Sequence, residues 1–244
     1  MSIFAWLLAA LAAFCMGIGK GGLVGMSLLH VVVFAFLFGA RDSTGIVLPM
    51  LLVGDVCAVT WYRQHARWDY IRRMLPPAGI GIVAGALLMH RVSDLRFRPL
   101  IGWIILSLAA LQLARMIRED SFGDVPHNRW FGWTMGLLTG VTSMLANAAG
   151  PIFALYALAV SLPKFEMVGT SAWLFLIINA VKVPFSASLG LIHEQTLMLN
   201  LTLAPVVVAG VFSGRWLTTR VPQKTFDLLL LAFAGVAALR LIWS

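Results

Sequence analysis

Four side chains that carry charge or form several hydrogen bonds stand inside or beside apolar stretches of the sequence. Lys20 lies between two apolar runs, and Asp55 is the lone acid of the run 44–62. Asn179 and Lys182 share the run 167–189. Charged side chains in a lipid core are costly and therefore face a polar cavity or one another. The lysines can hold an anion electrostatically, and the Asp55 carboxylate can take up and release a proton that is coupled to its movement.

Each of these residues also has a structural alternative. Lys20 could extend to a membrane interface, and Asp55 could be a permanent ion-pair partner of Lys20 or Lys182. Asn179 and Lys182 are three residues apart and so share one helix face. With Pro184 kinking or breaking that helix, they could line a polar cavity, bind a neighbouring helix or anchor the helix end.

Other side chains that could do chemistry are few. Thr170 and Ser171 can offer hydroxyls to a guest, although such residues commonly bond their own helix backbone. The two cysteines, Cys15 and Cys57, lie in apolar runs without metal-ligand spacing, and we predict no metal and no cofactor. Neither HExxH nor G-x-S-x-G occurs in the sequence. We therefore predict that the chain is not an enzyme.

Two breaks rich in small residues interrupt the apolar runs near the front of each half of the chain. The first spans 17–22 and the second spans 146–151. Neither resembles an aqueous loop, and non-helical backbone at membrane depth is tolerated only where protein buries it or it lines a wet cavity. Matching breaks in two halves of a chain are typical of a transporter binding site.

A helix that begins at such a break presents free N–H groups and its positive dipole end to an anion. Glycine allows close backbone approach, and Pro151 suits a first helical turn. We therefore expect the first break to open the second segment and the second break to open the seventh. Close helix packing is the alternative for the glycines. The predicted substrate-binding positions at the breaks are Gly19, Lys20, Gly21, Gly22, Asn147, Gly150 and Pro151.

The composition shows that these residues lie in a membrane. Hydrophobic residues make up 60% of the 244 residues and charged residues 11%, with a mean hydropathy of +0.91. A soluble domain is about a quarter charged. We predict an all-α, polytopic transmembrane helical protein of the cell's inner (plasma) membrane. Ten apolar segments are recognised: 3–18, 22–38, 44–62, 74–90, 99–114, 130–146, 150–161, 167–189, 196–214 and 225–243.

The short segments at the front of each half leave the number of spans open between eight and ten. A full crossing needs about 20 residues, which the front segments do not all reach. The net charge of +8 comes mainly from arginines in short loops, a distribution that fits anionic lipid rather than nucleic acid. We therefore predict a lipid bilayer as partner and no nucleic acid. No pattern in the sequence specifies an oligomeric state.

The chain also contains an internal repeat, with copies at 1–120 and 121–244 that form one integrated membrane domain. The loop after the third segment carries four arginines, whereas its counterpart near 190–195 carries none. By the positive-inside rule the two loops lie on opposite sides, so we predict inverted repeats, each beginning with a pair of short or broken helices. Residues that recur after 129 positions are Pro76, Gly81, Gly85, Arg91, Val92, Phe97 and Leu100, which match Pro205, Gly210, Gly214, Arg220, Val221, Phe226 and Leu229.

Several motifs resemble those of a known family over roughly residues 14–240. The stretches 142–151, 162–164, 168–173 and 179–184 closely resemble the second half of TauE/SafE-like sulfite exporters, a group of membrane permeases. In the first half the matching signatures are Gly19-Lys20-Gly21-Gly22, Leu48-Pro49, Asp55, Trp61-Tyr62-Arg63 and Trp68.

The resemblance implies export of small sulfur-containing anions, such as sulfite or organosulfonates, driven by the proton gradient. Family members carry various anions, so the resemblance does not fix the substrate. The alternatives are an importer of another small organic or inorganic anion, or a membrane subunit without transport activity. Lys20 is a departure, because many relatives have glycine throughout this cluster. The expected polar lining of the site is Lys20, Asp55, Asn147, Asn179 and Lys182.

Overall fold

The computed structural model describes residues 2–23, 28–117 and 129–218, together with residues 220 and 239. In these ranges the chain forms α-helices joined by short turns, with no strand. The tenth apolar segment, 225–243, lies almost entirely outside the described residues. The helices are α1 (Ile3–Lys20), α2 (Leu29–Phe38), α3 (Asp42–Tyr62), α4 (Trp68–Arg91), α5 (Asp94–Ile117), α6 (Arg129–Ala146), α7 (Gly150–Ala159), α8 (Lys164–Ser188) and α9 (Glu194–Thr218).

These helices confirm the prediction of an all-α membrane protein, because the first nine apolar segments each become one helix. Five helices are long and apolar enough to cross a bilayer, namely α1, α3, α4, α8 and α9. By contrast, α2 and α7 have 10 residues each. At 1.5 Å per residue each spans about 15 Å, roughly half of a hydrocarbon core. Both short helices were expected from the apolar pattern.

The first helix of each half packs against the fourth helix of the other half. Thus α1 lies along α9, and α6 lies along α4. Glycines make these contacts close, since the backbone of Gly17 touches that of Gly210 and the backbone of Gly21 touches that of Gly214. Gly81 of α4 approaches Gly140 of α6 in the same way. In a bilayer the hydrophobic effect does not drive helices together, because lipid is as apolar as their side chains. Membrane helices associate instead by close backbone packing at small residues.

The third helices of the two halves, α3 and α8, cross antiparallel at the centre. Gly45 at the start of α3 lies against Leu191, just beyond the end of α8. Gly169 near the start of α8 lies against Tyr62 at the end of α3. An inverted duplication requires this opposite direction of equivalent helices. The inversion itself and the division at residue 120 stay predictions.

At the first break the prediction that Gly19 to Gly22 open the second helix is wrong. Helix α1 continues through Gly19 and Lys20, and Gly21 caps it with an N–H bond to the Gly17 carbonyl. Helix α2 begins only at Leu29. The physical reason is that the glycines let α1 run against α9 to its last turn, so that helical hydrogen bonding continues across the cluster.

At the second break the prediction is confirmed. Helix α6 ends at Ala146, and α7 begins at Gly150 with Pro151 in its first turn. Between them Asn147 adopts φ +53°, a left-handed conformation that asparagine tolerates better than most residues. The first break therefore contains only the end of a helix, α1. The second break contains the end of α6 and the start of α7.

Replacing Gly81 with alanine tests the close packing of α4 on α6. A Cβ there would collide with the backbone of Leu137 and Val141, whereas a Cβ at Gly79, in the same helix, meets nothing within 4 Å. Both changes gain about 0.5–1 kcal/mol of helix propensity, but overpacking costs about 1–3 kcal/mol. We expect Gly81→Ala to lower the midpoint of thermal unfolding in detergent and Gly79→Ala to keep or raise it. Equal midpoints for the two variants would contradict this packing.

Candidate functional site

An ion pair links the end of α1 to the middle of α3. The Lys20 Nζ lies 2.5 Å from Asp55 Oδ1. The other carboxylate oxygen, Oδ2, accepts a hydrogen bond of 2.7 Å from Asn179 Nδ2 of α8. Asp55 is fully buried, whereas the Lys20 side chain keeps 14% exposure. Both oxygens of this buried carboxylate are thus occupied, as a charge removed from water requires.

Lys182 of α8 is buried without a carboxylate partner. Its side chain is 1% exposed, and its Nζ donates to Asn147 Oδ1 at 2.5 Å, to Ser143 Oγ at 3.2 Å and to Asn179 Oδ1 at 3.2 Å. All three acceptors are neutral. Among the described residues, no Asp or Glu oxygen lies within 4.0 Å of this ammonium. Its hydrogen bonds are therefore satisfied while its charge is not balanced by direct contact.

Asn147 continues this network to the start of α3. Its Nδ2 donates a hydrogen bond of 2.8 Å to the Thr44 carbonyl, while its Oδ1 accepts a hydrogen bond from the Lys182 Nζ. A continuous chain of hydrogen bonds thus runs from Lys20 through Asp55, Asn179 and Lys182 to Asn147. It connects the first break to the second through α3 and α8. The sequence had singled out all five of these residues as the polar lining.

A cavity of about 50 Å³ lies beside this chain of hydrogen bonds. A water molecule needs roughly 10–15 Å³ on the same measure, so a small ion or a few waters fit. Phe175 forms part of the apolar wall, with its ring centroid 4.8 Å from the Lys20 Nζ. The polar and small residues that line the cavity are Gly19, Lys20, His30, Ala58, Ser143, Asn147, Ala149, Gly150, Ser171, Ala172 and Asn179.

The start of α7 faces the same cavity with its backbone. Ala149 and Gly150 both line it, and Ala149 at the N-cap position makes no side-chain capping bond. The first N–H groups of a helix have no partner within the helix, and together with the dipole they favour an anion. This end of α7 and Lys20 line the cavity, and Lys182 lies behind its wall, where it donates to Ser143, Asn147 and Asn179.

Some predicted residues lie away from the cavity. The Thr170 Oγ1 accepts a 3.0 Å bond from the Arg67 backbone N–H, which ties α8 to the turn after α3. The Gly21 carbonyl accepts a 3.2 Å bond from the Tyr62 hydroxyl, and Gly22 abuts Thr218 of α9. Ser171 lines the cavity, but its hydroxyl bonds the Val168 carbonyl of its own helix. For Gly21 and Gly22 the contacts are those of helix packing.

Sequence reasoning missed three residues at the site. Ser143 precedes Asn147 by four positions, and Phe175 precedes Asn179 by four. One helical turn places each of them beside its partner. That spacing was a usable signal for both. His30 carries no such signal, because it stands alone in an apolar run.

Helices long and apolar enough to cross a membrane, packed around a buried cavity lined by lysine and amide side chains, are the architecture that a membrane transport protein requires. The family follows from the sequence as a whole. Residues 3–241 match the family model "Sulfite exporter TauE/SafE", and the chain therefore belongs to this family. A search of the curated proteins and a search of the solved structures each returned no match. The resemblance predicted from the motifs is confirmed, and membership implies a membrane transporter of sulfite or related anions.

Replacing Lys20 tests the ion pair in the middle of the fold. Lys20→Met leaves the fully buried Asp55 carboxylate without its counter-charge, and breaking a buried pair from one side costs about 3–5 kcal/mol. We expect a large fall in the unfolding midpoint for Lys20→Met and partial recovery in the double variant Lys20→Met/Asp55→Asn. Thermal unfolding of the four proteins of this double-mutant cycle measures the coupling. Additive effects of the two substitutions would show that the pair contributes nothing.

Proposed function

We propose that this protein exports sulfite or a small organosulfonate across the cell's inner membrane, coupled to protons, and that the anion binds in the cavity between α1, α7 and α8. The family supplies the substrate class. The proposed location of the site and the proposed coupling rest on the geometry of the buried polar residues.

The observation that carries the proposal is the unbalanced charge of Lys182. Two lysines, Lys20 and Lys182, share this network with one carboxylate, Asp55, so the network holds one positive charge in excess when both lysines are protonated. A monoanion in the adjacent cavity would balance that charge. At an effective dielectric constant of about 20, opposite charges 4 Å apart attract by roughly 4 kcal/mol. Hydrogensulfite and the organosulfonates are small monoanions of this kind.

The neighbouring groups fit an oxyanion in particular. The free N–H groups at the start of α7 replace water around the oxygens without adding a permanent charge. The Asn147 and Asn179 amides hold the Lys182 ammonium in place by accepting its hydrogen bonds. The bound anion is therefore surrounded by donors that are fixed before it arrives, which lowers the cost of binding.

Asp55 is the group that we propose couples proton movement to the anion. Its carboxylate binds Lys20 directly, and protonation would remove the charge that holds this ammonium. Lys20, at the edge of the cavity, would then be free to pair with the anion instead. Proton and anion would thus occupy the site together and cross in the same direction, so that an outward gradient of the anion drives export and an inward proton gradient drives uptake. Uptake of another small anion uses the same site and differs only in those gradients.

Replacing Lys182 tests the anion site. We expect Lys182→Met to reduce sulfite flux by about 10- to 100-fold, because one charge-assisted interaction contributes about 1.5–3 kcal/mol. The matched control is Lys164→Met, which removes the exposed lysine at the start of the same helix. Radiolabelled sulfite uptake into proteoliposomes measures both, with thermal unfolding as a check of folding. A folded Lys182→Met protein with normal flux would refute the proposed site, and a wild type without flux of sulfite or organosulfonates would refute the substrate class.

Replacing Asp55 tests the coupling. Asp55→Asn keeps the size of the side chain, but its amide cannot take up and release a proton as a carboxylate does. We therefore expect that an imposed pH gradient no longer accelerates sulfite transport by this variant. The control Asp42→Asn alters an exposed acid at the start of the same helix and should leave the gradient effect intact. Initial rates with and without the gradient give the comparison. Equal stimulation of Asp55→Asn and wild type would assign the coupling to another group.

A further inference from the structure

His30 is a buried histidine without a hydrogen-bond partner. It is 2% exposed, and neither Nδ1 nor Nε2 has a partner among the described residues. Buried polar groups in native proteins are nearly always paired, and each exception calls for an explanation. An imidazole carries at least one N–H donor in every protonation state. His30 therefore holds an unused donor in the interior of the protein.

This ring lies at one end of the cavity. His30 and Asn147 both line the cavity beside Lys20. The same two residues also line a crevice that reaches Ser43 and Thr44 at the start of α3 and leaves no room for a water molecule. His30 and Asn147 therefore close the cavity on the side of α3.

The backbone near His30 favours a negative guest as well. His30 is the second residue of α2, whose N-cap residue Leu28 makes no side-chain capping bond. The first turn of this helix places the positive end of its dipole near the imidazole. The start of α7 lines the same cavity from the other half of the chain.

We propose that His30 is an anion-binding residue of the transport path and donates a hydrogen bond to a small oxyanion in the cavity beside Lys20. The identity of the oxyanion rests on the proposed function. Asn147, at the same end of the cavity, is held by Lys182 and the Thr44 carbonyl. The imidazole is therefore the one of the two side chains whose hydrogen-bonding capacity is still free.

The test compares His30→Leu with His90→Leu, which alters an exposed histidine at the end of α4. We expect His30→Leu to raise the KM for sulfite about 10-fold or more, the loss of one hydrogen bond to a charged group. His30→Gln, which retains an N–H donor, should recover part of the affinity. His90→Leu should keep the wild-type KM. Sulfite and methanesulfonate are used as probes in proteoliposomes and as stabilising ligands in thermal unfolding.

Stability separates a binding role from a structural one. Because the imidazole has no partner to lose, His30→Leu without ligand should unfold at the wild-type temperature or higher, while the shift produced by sulfite becomes smaller. Unfolding at a lower temperature together with a normal sulfite shift would overturn the proposal and make His30 a packing residue.

The outcomes also separate this inference from the proposed function. If Lys182→Met loses flux while His30→Leu and His30→Gln retain the wild-type KM, the function stands and the role of His30 falls. If wild type neither transports nor is stabilised by either probe, the proposed function falls and the role of His30 in binding these anions falls with it.

Discussion

The fold depends on the hydrogen bonds that hold three charged groups, those of Lys20, Asp55 and Lys182, in the interior of a membrane protein. Asp55 is fully buried and Lys182 almost so, and neither could remain there without the bonds that tie α1, α3, α6 and α8 together. The chain of hydrogen bonds from Lys20 to Asn147 is therefore a structural element as much as a site. The same bonds that stabilise the empty protein leave Lys182 without a carboxylate partner, and the proposed function assigns that role to the transported anion.

Packing and electrostatics determine each other here. Lys20 reaches Asp55 because α1 runs along α9 on its glycine face and stays helical to that residue. Asn147 reaches Lys182 because α6 ends at Ala146 and the backbone turns through a left-handed residue. The small residues thus fix where each helix ends, and each helix end fixes where a polar side chain points.

Much of this could be predicted from the sequence because polar residues in apolar runs are costly and rare. That cost alone singled out Lys20, Asp55, Asn179 and Lys182, and the structure brings them together. The start of α7 was also predictable, since Gly150-Pro151 is a helix-start pattern. These features depend on local sequence and on the membrane as solvent, which composition reveals.

Features that depend on distant partners could not be predicted. Whether the glycines at 19–22 start a helix or extend one is decided by contact with α9, nearly two hundred residues away in sequence. The same contact assigns Gly21 and Gly22 to packing. His30 was passed over because a lone histidine in an apolar run forms no pattern. Only the folded chain shows that it lines a cavity and has no hydrogen-bond partner among the described residues. Thr170 likewise found its partner in the Arg67 backbone, beyond any local rule.

The exchange of helices between the two halves also constrains how the protein is made. The partner of α1 is α9, and Gly17 meets Gly210, so about 190 residues of synthesis separate the two surfaces. At roughly 5–20 residues per second, α1 waits for about 10–40 s in the membrane with its glycine face uncovered. Lys20 waits for a much shorter time until Asp55 follows it. Until α9 follows, α1 can pack only against α2 and α3 of its own half, so neither half can complete its packing alone.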